Sequence, residues 1–391
     1  MKEAVIVSGA RTPIGRFGGS LKDVSASKLG ATAIKGALKF SGINSEDVDE
    51  VVFGNSIQGA EAGYAARLSS LLAGLPKEVP SVAINKQCAS GLEAINIAAQ
   101  LIISNQADIV IAGGTESMSQ SPFVKTYESR FGSESTNSDA LINSISCPVN
   151  QYHMGVTAEN LASKYKISRK AQDIYSLESQ RRAVTAITDS KFKKQIVEVK
   201  ISSESEAAFV NQDECPRPDS TLNKLSKLPP VFQENGTVTA GNSSVISDGA
   251  AAVVIMSLDK CKSLGIKPKL RWVSRGVAGV EPSLMGTGPV PALGKAILSA
   301  GLTLDDLDLI ELNEAFASQS IYCIQELGLD MQKTNVNGSG ISLGHPIGAT
   351  GAVLVVKLME EMNLNNHLFG GVSLCVGGGQ GIASIFENVQ I

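Results

Sequence analysis

Cys88 stands in "NKQCASGLEAI", between the apolar stretch Val82-Ala83-Ile84 and a helical pattern carrying Leu92, Ile95, Ala99, Ile102 and Ile103. A thiol where a strand turns into a helix meets the partial positive charge and unpaired N–H groups of the helix start. That setting favours the thiolate and predicts a pKa lowered from about 8.5 toward 7 or below, roughly a tenfold gain in nucleophile at neutral pH. Ala89, Ser90 and Gly91 leave room for a substrate. The competing reading is a small buried residue at a tight joint.

Three other stretches carry chemistry of their own. "NGSGISLGHPIGATGA", residues 337–352, holds His345 in a glycine-rich turn before Pro346, a residue favoured in a first helical turn. A neutral imidazole there can take a proton from a thiol or donate to an oxyanion. The glycines miss the G-x-G-x-x-G spacing and no G-K-[ST] follows, which argues against a phosphate loop. "SLCVGGGQG", residues 373–381, ends a strand on Cys375 and continues into a turn whose backbone N–H groups can converge on one point. "ELNEAFA", residues 311–317, closes a strand on Asn313 and Glu314, where an amide can orient a water or a histidine, or simply cap a helix. His367 in "NLNNHLFGG" reads as a loop-surface residue. The histidines show no ligand spacing and no Cys/His cluster exists, so a metal site is not expected.

These stretches must be positioned by a scaffold. The first 118 residues alternate strand-like and helix-like patterns, from "AVIVSGA" and "KLGATAIKGALKFSG" to "DIVIAGG". Such alternation predicts an α/β fold with a mostly parallel sheet. Residues 119–247 are polar, with "AQDIYSLESQRRAVTAI" as a helix among excursions; the alternation resumes at "GAAAVVIMSL". "ALKFSGINSEDVDEVVFGN" from Ala37 resembles "AILSAGLTLDDLDLIELNE" from Ala296, a shift of 259 that superposes Gly42 on Gly301 and Asp49 on Asp308. The same shift carries Cys88 to position 347, two residues from His345. The chain therefore reads as two similar α/β halves, the polar segment being inserted into the first.

Composition narrows the class. With 391 residues, 43% hydrophobic and 18% charged, the chain can bury a large core. Its 38 glycines suggest tight loops and close helix packing. A net charge of −4 lacks the basic footprint of a nucleic-acid binder. No apolar run approaches a membrane span, "MKEAVIVSGARTP" lacks a signal-peptide core, and "ENVQI" carries no retention or peroxisomal signal. Six cysteines without a C-x-x-C pair fit a reduced, cytoplasmic chain.

Taken in order, "NKQCASGLEAI", "GTVTAGNSS…SDGAAA", "ELNEAFA", "GHPIGATGA" and "CVGGGQG" resemble the thiolase family, and the resemblance spans essentially the whole chain. It implies a thiolase fold, two α/β halves in five αβαβα layers with an inserted loop domain. The expected division is 1–118 plus 248–268, a covering loop domain at 119–247, and 269–391. It implies acyl transfer between thioesters of coenzyme A, with no separate cofactor. On that resemblance Cys88 becomes acylated, His345 activates it, and Cys375 moves the α-proton of a second acyl-CoA or protonates a leaving group. Asn313 holds a water that joins His345 in one oxyanion hole, and the N–H groups of Cys88 and Gly377 form another. "QYHMGVTAEN" is similar to the covering loop of acetoacetyl-type members, placing His153 and a bulky Met154 at a short acyl pocket. By the same matching, Arg217, Phe232, Ala240, Ser244, Met285, Ala315 and Phe316 meet coenzyme A.

Ala89, Lys224, Pro229 and Val245 depart from the short-chain pattern, and Val245 looks more like the degradative 3-ketoacyl-CoA thiolases. The expected activity is reversible condensation of two acetyl-CoA to acetoacetyl-CoA and CoA, in a cytoplasmic homo-oligomer, dimer or tetramer. Its partners are small acyl-CoA molecules, with neither nucleic acid nor membrane. The alternative is a 3-ketoacyl-CoA thiolase of fatty-acid breakdown. A silent acyl-CoA binder and a decarboxylating condensing enzyme are the rivals from other classes.

Overall fold

Eight consecutive buried residues, Ala4–Arg11, form the central strand β1, and β2 (Gly15–Arg16) extends from it. α1 (Ala26–Ser41) starts on Ser25, whose hydroxyl accepts from Lys28 N, and stops on Gly42 in the left-handed conformation at φ 71°. β3 (Glu50–Gly54), α2 (Ala65–Ala73), β4 (Ser81–Ile84), α3 (Ser90–Ile103) and β5 (Ile109–Ser117) continue the alternation. The computed structural model describes residues 2–389 apart from 60, 62, 126, 133–135 and 203–206, so the last two residues of "ENVQI" lie outside the described residues.

After β5 the chain leaves the sheet for short ribbons and helices. β6 (Phe123–Lys125) pairs with β7 (Asn137–Asp139), and α4 (Ala140–Ser144) follows. β8 (Ser146–Cys147) pairs with β9 (Tyr152–His153), which leads into α5 (Met154–Lys164) and α6 (Arg169–Thr188). β10 (Val199–Ser202) pairs with β11 (Ala207–Val210), and α7 (Leu222–Ser226) follows. The chain re-enters the sheet as β12 (Ser247–Ser257), buried throughout, followed by α8 (Leu258–Ser263). The second half comprises β13 (Leu270–Gly279), α9 (Pro289–Ala300), β14 (Leu309–Leu312), α10 (Ala317–Leu327), α11 (Gly340–Leu343), α12 (Ile347–Asn365), β15 (Phe369–Val376) and β16 (Gln380–Asn388).

The strand order is β14-β15-β16-β13-β1-β12-β5-β3-β4. The sheet is mixed, not mostly parallel as the alternation predicts. β3 is parallel to β4 and β5, and β14 to β15, but β12 runs antiparallel to both β1 and β5. Within each half the strands joined by single crossovers share one direction, β1, β3, β4 and β5 in the first and β13, β14 and β15 in the second, as crossovers require. What the alternation misses is the returning strand: β12 inserts between β1 and β5, and β16, reached by a glycine hairpin from β15, inserts between β15 and β13. The halves join edge to edge at β1 and β13 over the short register Val5–Arg271 and Ile6–Leu270.

Helices form the remaining layers. α3 and α12 pack on each other between the halves, in one apolar cluster that includes Leu92, Ile95, Val355 and Leu358. α1 and α2 cover the outer face of the first half, where Leu29, Ile34 and Phe53 are buried. α9 and α10 cover the second half around Leu293, Leu312 and Cys323.

The repeat extends to single hydrogen bonds. Gly301 ends α9 at φ 70°, as Gly42 ends α1. Asp49 Oδ2 accepts from Asp108 N (2.7 Å) and Ile109 N (2.9 Å) at the start of β5. Asp308 Oδ2 accepts from Leu368 N (2.7 Å) and Phe369 N (3.2 Å) at the start of β15. The segment between β5 and β12 is held down by buried charge. Arg11 and Asp213 form a bidentate pair at 2.7 and 2.8 Å with both side chains fully buried, and Arg11 Nε donates to Gln195 Oε1 at 2.7 Å. Glu159 on α5 accepts from Thr237 N and Val238 N and fixes the "GTVTAG" stretch.

Candidate active site

The turn that carries Cys88 is built by local hydrogen bonds. Ala89 N donates to Lys86 O and Ser90 N to Gln87 O, both at 3.0 Å, and Ser90 Oγ accepts from Lys86 N at 2.8 Å. Gln87 takes a left-handed φ of 49° to turn the chain. Cys88 thus precedes α3, whose first residue is Ser90 with Ala89 as its cap, rather than sitting inside the first helical turn. The pKa expectation is corrected accordingly. Burial pushes the Cys88 thiol up to about 11, with the Glu116 carboxylate adding to the rise, while the N–H groups of Gly377 and of Cys88 itself oppose it. Loss of water outweighs the helix start.

His345 lies on the loop between α11 and α12, and its N–H donates to Ser247 Oγ at 2.7 Å. Its ring Nδ1 is 2.6 Å from Thr350 Oγ1, and that hydroxyl uses its own proton on Pro346 O at 3.0 Å. The hydroxyl oxygen therefore accepts from Nδ1–H, which leaves Nε2 unprotonated. Asn313 Nδ2 reaches Nε2 at 3.4 Å, a donor to that lone pair. Burial lowers the His345 pKa to about 4, so the imidazole is neutral. Asn313 Oδ1 is buried with no partner among the described residues, and a Cβ at Gly340 would lie 2.7 Å from the Glu314 carbonyl oxygen and 3.0 Å from Asn313 Oδ1. Residue 340 is therefore open only to glycine in this packing.

Cys375, the penultimate residue of β15, is fully buried in an apolar cluster with Met285, Ala315, Phe316, Met154 and Phe232. Burial raises its pKa well above the ordinary thiol value, and the neighbouring Cys88 raises it further. The following turn, with Gly378 and Gly379 at φ 85° and 86°, reverses the chain into β16 and turns Gly377 toward Cys88.

A cavity of about 500 Å³ opens over these groups. Cys88, His345 and Gly377 lie on its wall, whereas Asn313 and Cys375 sit behind it. His153, Met154, Arg217, Phe232, Ala240, Ser244, Met285, Ala315 and Phe316, expected above from resemblance, all line it. His153 stacks on Phe232 at a centroid distance of 4.6 Å, and Phe232 meets Phe316 edge-on at 6.2 Å. His153 Nδ1 also accepts from Gly155 N at 2.9 Å, which caps α5 and fixes the ring. A Cβ on Gly377 would lie 2.7 Å from Met154 Cε, so Met154 closes down on the Gly377 turn. Of the departures, Val245 lines the cavity, Lys224 pairs instead with Asp219 at 2.5 Å, and Ala89 and Pro229 are not on the wall; nor is His367.

Sequence reasoning missed several neighbours. Arg16, Phe17, Gln87, Met118, Ile145 and Ile347 also line the cavity. Thr350, behind His345, sits in the "GHPIGATGA" stretch, and its i+5 spacing from the histidine is the signal that could have found it. Among the described residues no group of three or more His, Cys, Asp or Glu is placed to hold a metal ion. No described helix is long and apolar enough to cross a membrane.

A fold of two like halves, with paired thiols and an imidazole beneath one cavity, can be compared with known proteins. Family models described as "Thiolase, N-terminal domain" and "Thiolase, C-terminal domain" match residues 4–259 and 266–388. The chain belongs to the thiolase family. It is 47% identical to the beta-ketothiolase BktB of Cupriavidus necator, covering 99% of this chain and 100% of that one. The crystal structure of the Bacillus anthracis acetyl-CoA acetyltransferase superposes with a TM-score of 0.97 at 42% identity, covering 100% of this chain and 99% of that one. Human mitochondrial 3-ketoacyl-CoA thiolase superposes with a TM-score of 0.96, also at 42% identity and covering 99% of each chain. The chain is an acyltransferase of the α/β thiolase fold.

Proposed function

We propose that the protein is an acetyl-CoA C-acetyltransferase, joining two acetyl-CoA to acetoacetyl-CoA and CoA and running in reverse. The observation that carries the short-chain reading is Met154, whose Cε closes on the Gly377 turn above Cys88. The His345 tautomer supports the first step. Cys88 Sγ attacks the thioester carbonyl while Nε2 takes the thiol proton, and the N–H groups of Cys88 and Gly377 stabilise the oxyanion. Cys375 protonates the departing CoA thiolate, leaving acetyl-Cys88 and a Cys375 thiolate. That thiolate removes the α-proton of the second acetyl-CoA, and the oxygen of the resulting enolate faces His345 and an Asn313-held water. The enolate carbon attacks acetyl-Cys88, the carbon–sulfur bond breaks, and Cys88 recovers its proton from His345. No cofactor enters this scheme. The two arginines lining the cavity, Arg16 and Arg217, support a phosphorylated substrate.

The second reading, a 3-ketoacyl-CoA thiolase of broader chain length, is favoured by Met118, Met154 and Met285 in the wall, since methionines reshape readily around different acyl groups. Thiolysis of acetoacetyl-CoA against a long-chain 3-ketoacyl-CoA decides between them, and a clear preference for the long chain overturns the acetyl reading. Incubation with acetyl-CoA followed by intact mass measurement tests the nucleophile. One acetyl adduct is expected, absent in Cys88→Ala; an adduct that survives the substitution removes Cys88 from the role. We further propose a cytoplasmic homo-oligomer, divided at 1–118 plus 248–268, 119–247 and 269–391.

A further inference from the structure

Glu116, near the end of β5, is fully buried and lies outside the cavity wall. Its Oε1 accepts from Asn55 Nδ2 (2.9 Å) and Ile57 N (3.1 Å), and its Oε2 from Ser56 N (3.0 Å) and Gly348 N (2.8 Å). All four contacts are N–H donors, so the cage is made for a carboxylate; a protonated acid would turn its O–H onto a donor. Each donor belongs to a segment that bears on the site. Gly348 is three residues after His345 in the first turn of α12. A Cβ there would lie 2.7 Å from Glu116 Oε2, so only glycine allows the approach. On the other side, Ser56 Oγ donates to Gln87 Oε1 (3.0 Å) and Asn85 Nδ2 donates to Ser56 O (2.9 Å), bracketing the turn that carries Cys88. One carboxylate thus ties the nucleophile's turn in the first half to the imidazole's loop in the second.

We propose that Glu116 is a positioning residue: it sets the approach of His345 to Cys88 by clamping both of their segments, and as the carboxylate facing the Cys88 turn it adds to what burial already does to keep that thiol protonated. The proposal rests on the roles given above to Cys88 and His345. The ionisable groups facing the carboxylate are the Cys88 thiol, from the turn before α3, and Asp248, from β12. His345, on the loop leading into α12, is neutral, the Asn55–Ile57 loop brings no ionisable group, and no described ion pair engages Glu116. Desolvation raises the Glu116 pKa to about 7 against its donors, so the charge is about half present at neutrality and nearly complete only about two pH units higher.

Glu116→Gln keeps the volume, removes the charge and turns one end into a donor facing donors. Two readouts apply to the full-length enzyme. The kcat for acetoacetyl-CoA thiolysis is expected to fall about 10- to 100-fold with KM nearly unchanged, as for a small misplacement of reacting groups. The pH profile of Cys88 alkylation by iodoacetamide, followed by mass, is expected to move to lower pH. Glu116→Asp keeps the charge but retracts the clamp, so its alkylation profile should match the parent while kcat stays low. The proposal is overturned if the folded Gln and Asp variants keep parental kcat. It is equally overturned if the Gln variant loses activity only in step with folded protein, its alkylation profile unmoved. Should Glu116→Gln fail to fold, Ser56→Ala cuts the link to Gln87 alone: a roughly threefold or greater loss of kcat supports the clamp, and an unchanged kcat refutes it. Absence of an acetyl adduct on the parent enzyme would instead refute the function, since alkylation reports on the thiol independently.

Discussion

The Cys88 thiol and the His345 imidazole share one cavity wall as neutral groups. Burial disfavours the charged form of each, so Cys88 loses its proton only as pH rises toward about 11, and His345 gains one only as pH falls toward about 4. On the proposed mechanism, proton transfer then accompanies attack rather than preceding it. Cys88 alkylation in the substrate-free enzyme is therefore expected to keep rising through the alkaline range. A plateau already reached at pH 7 would reveal a standing thiolate–imidazolium pair. Cys375 is buried more deeply, and its raised pKa makes its thiolate a strong base. Cys375→Ser is expected to acylate at Cys88 but to condense at least about a hundredfold more slowly, because a serine hydroxyl is a far weaker acid than a thiol. Mass measurement and a condensation assay separate the two steps, and parental condensation would contradict the base role. The sequence shows which residue types gather but not their ionisation. The helix start at Ala89 is legible in "CASG", whereas burial comes from Met118, Ile347 and other side chains brought in from distant segments.

At the level of elements, the excursion between β5 and β12 depends on few anchors. The bidentate Arg11–Asp213 pair fixes its later part to β1, with no exposed atoms to soften the loss of a partner. Asp213→Ala leaves the guanidinium buried and uncompensated and is expected to cost about 3–5 kcal/mol, read from urea denaturation. A change below 1 kcal/mol would show that Gln195 and Phe192, over which the guanidinium stacks at 4.9 Å, suffice to hold Arg11. Helices were readable here because their ends are marked: Gly42, Gly74, Gly301 and Gly328 all stop helices in the left-handed conformation. Strand direction was not, since β12 and β16 carry the same apolar runs whichever way they point. Glu116 was hidden, because its partners Asn55, Ser56, Ile57 and Gly348 stand far from it in the sequence, whereas Thr350 lies only five residues from His345.

For the whole molecule, one edge of the sheet lies open. β4 is the last strand in the order, Val82 on it is 38% exposed, and Leu71 and Leu72 of neighbouring α2 are exposed as well. An edge strand with free backbone groups beside apolar side chains pairs readily with another chain. Light scattering on the purified protein is expected to give at least a dimer, and Val82→Glu to shift it toward monomer. A monomeric parent, or a variant that assembles normally, would place the interface elsewhere.

Asp49 and Asp308 do the same task at matching places, each tying off the strand that follows its half's inner helix. Correspondence down to single hydrogen bonds means that one local device closes both halves of the fold. The halves share a frame but differ at the matching joint, where one holds Cys88 and the other places His345 two residues from the corresponding position. On the proposed mechanism, a pair of identical halves would present two nucleophiles and no base, or two bases and nothing to activate. The proposed chemistry therefore depends on the point at which the two halves stop matching.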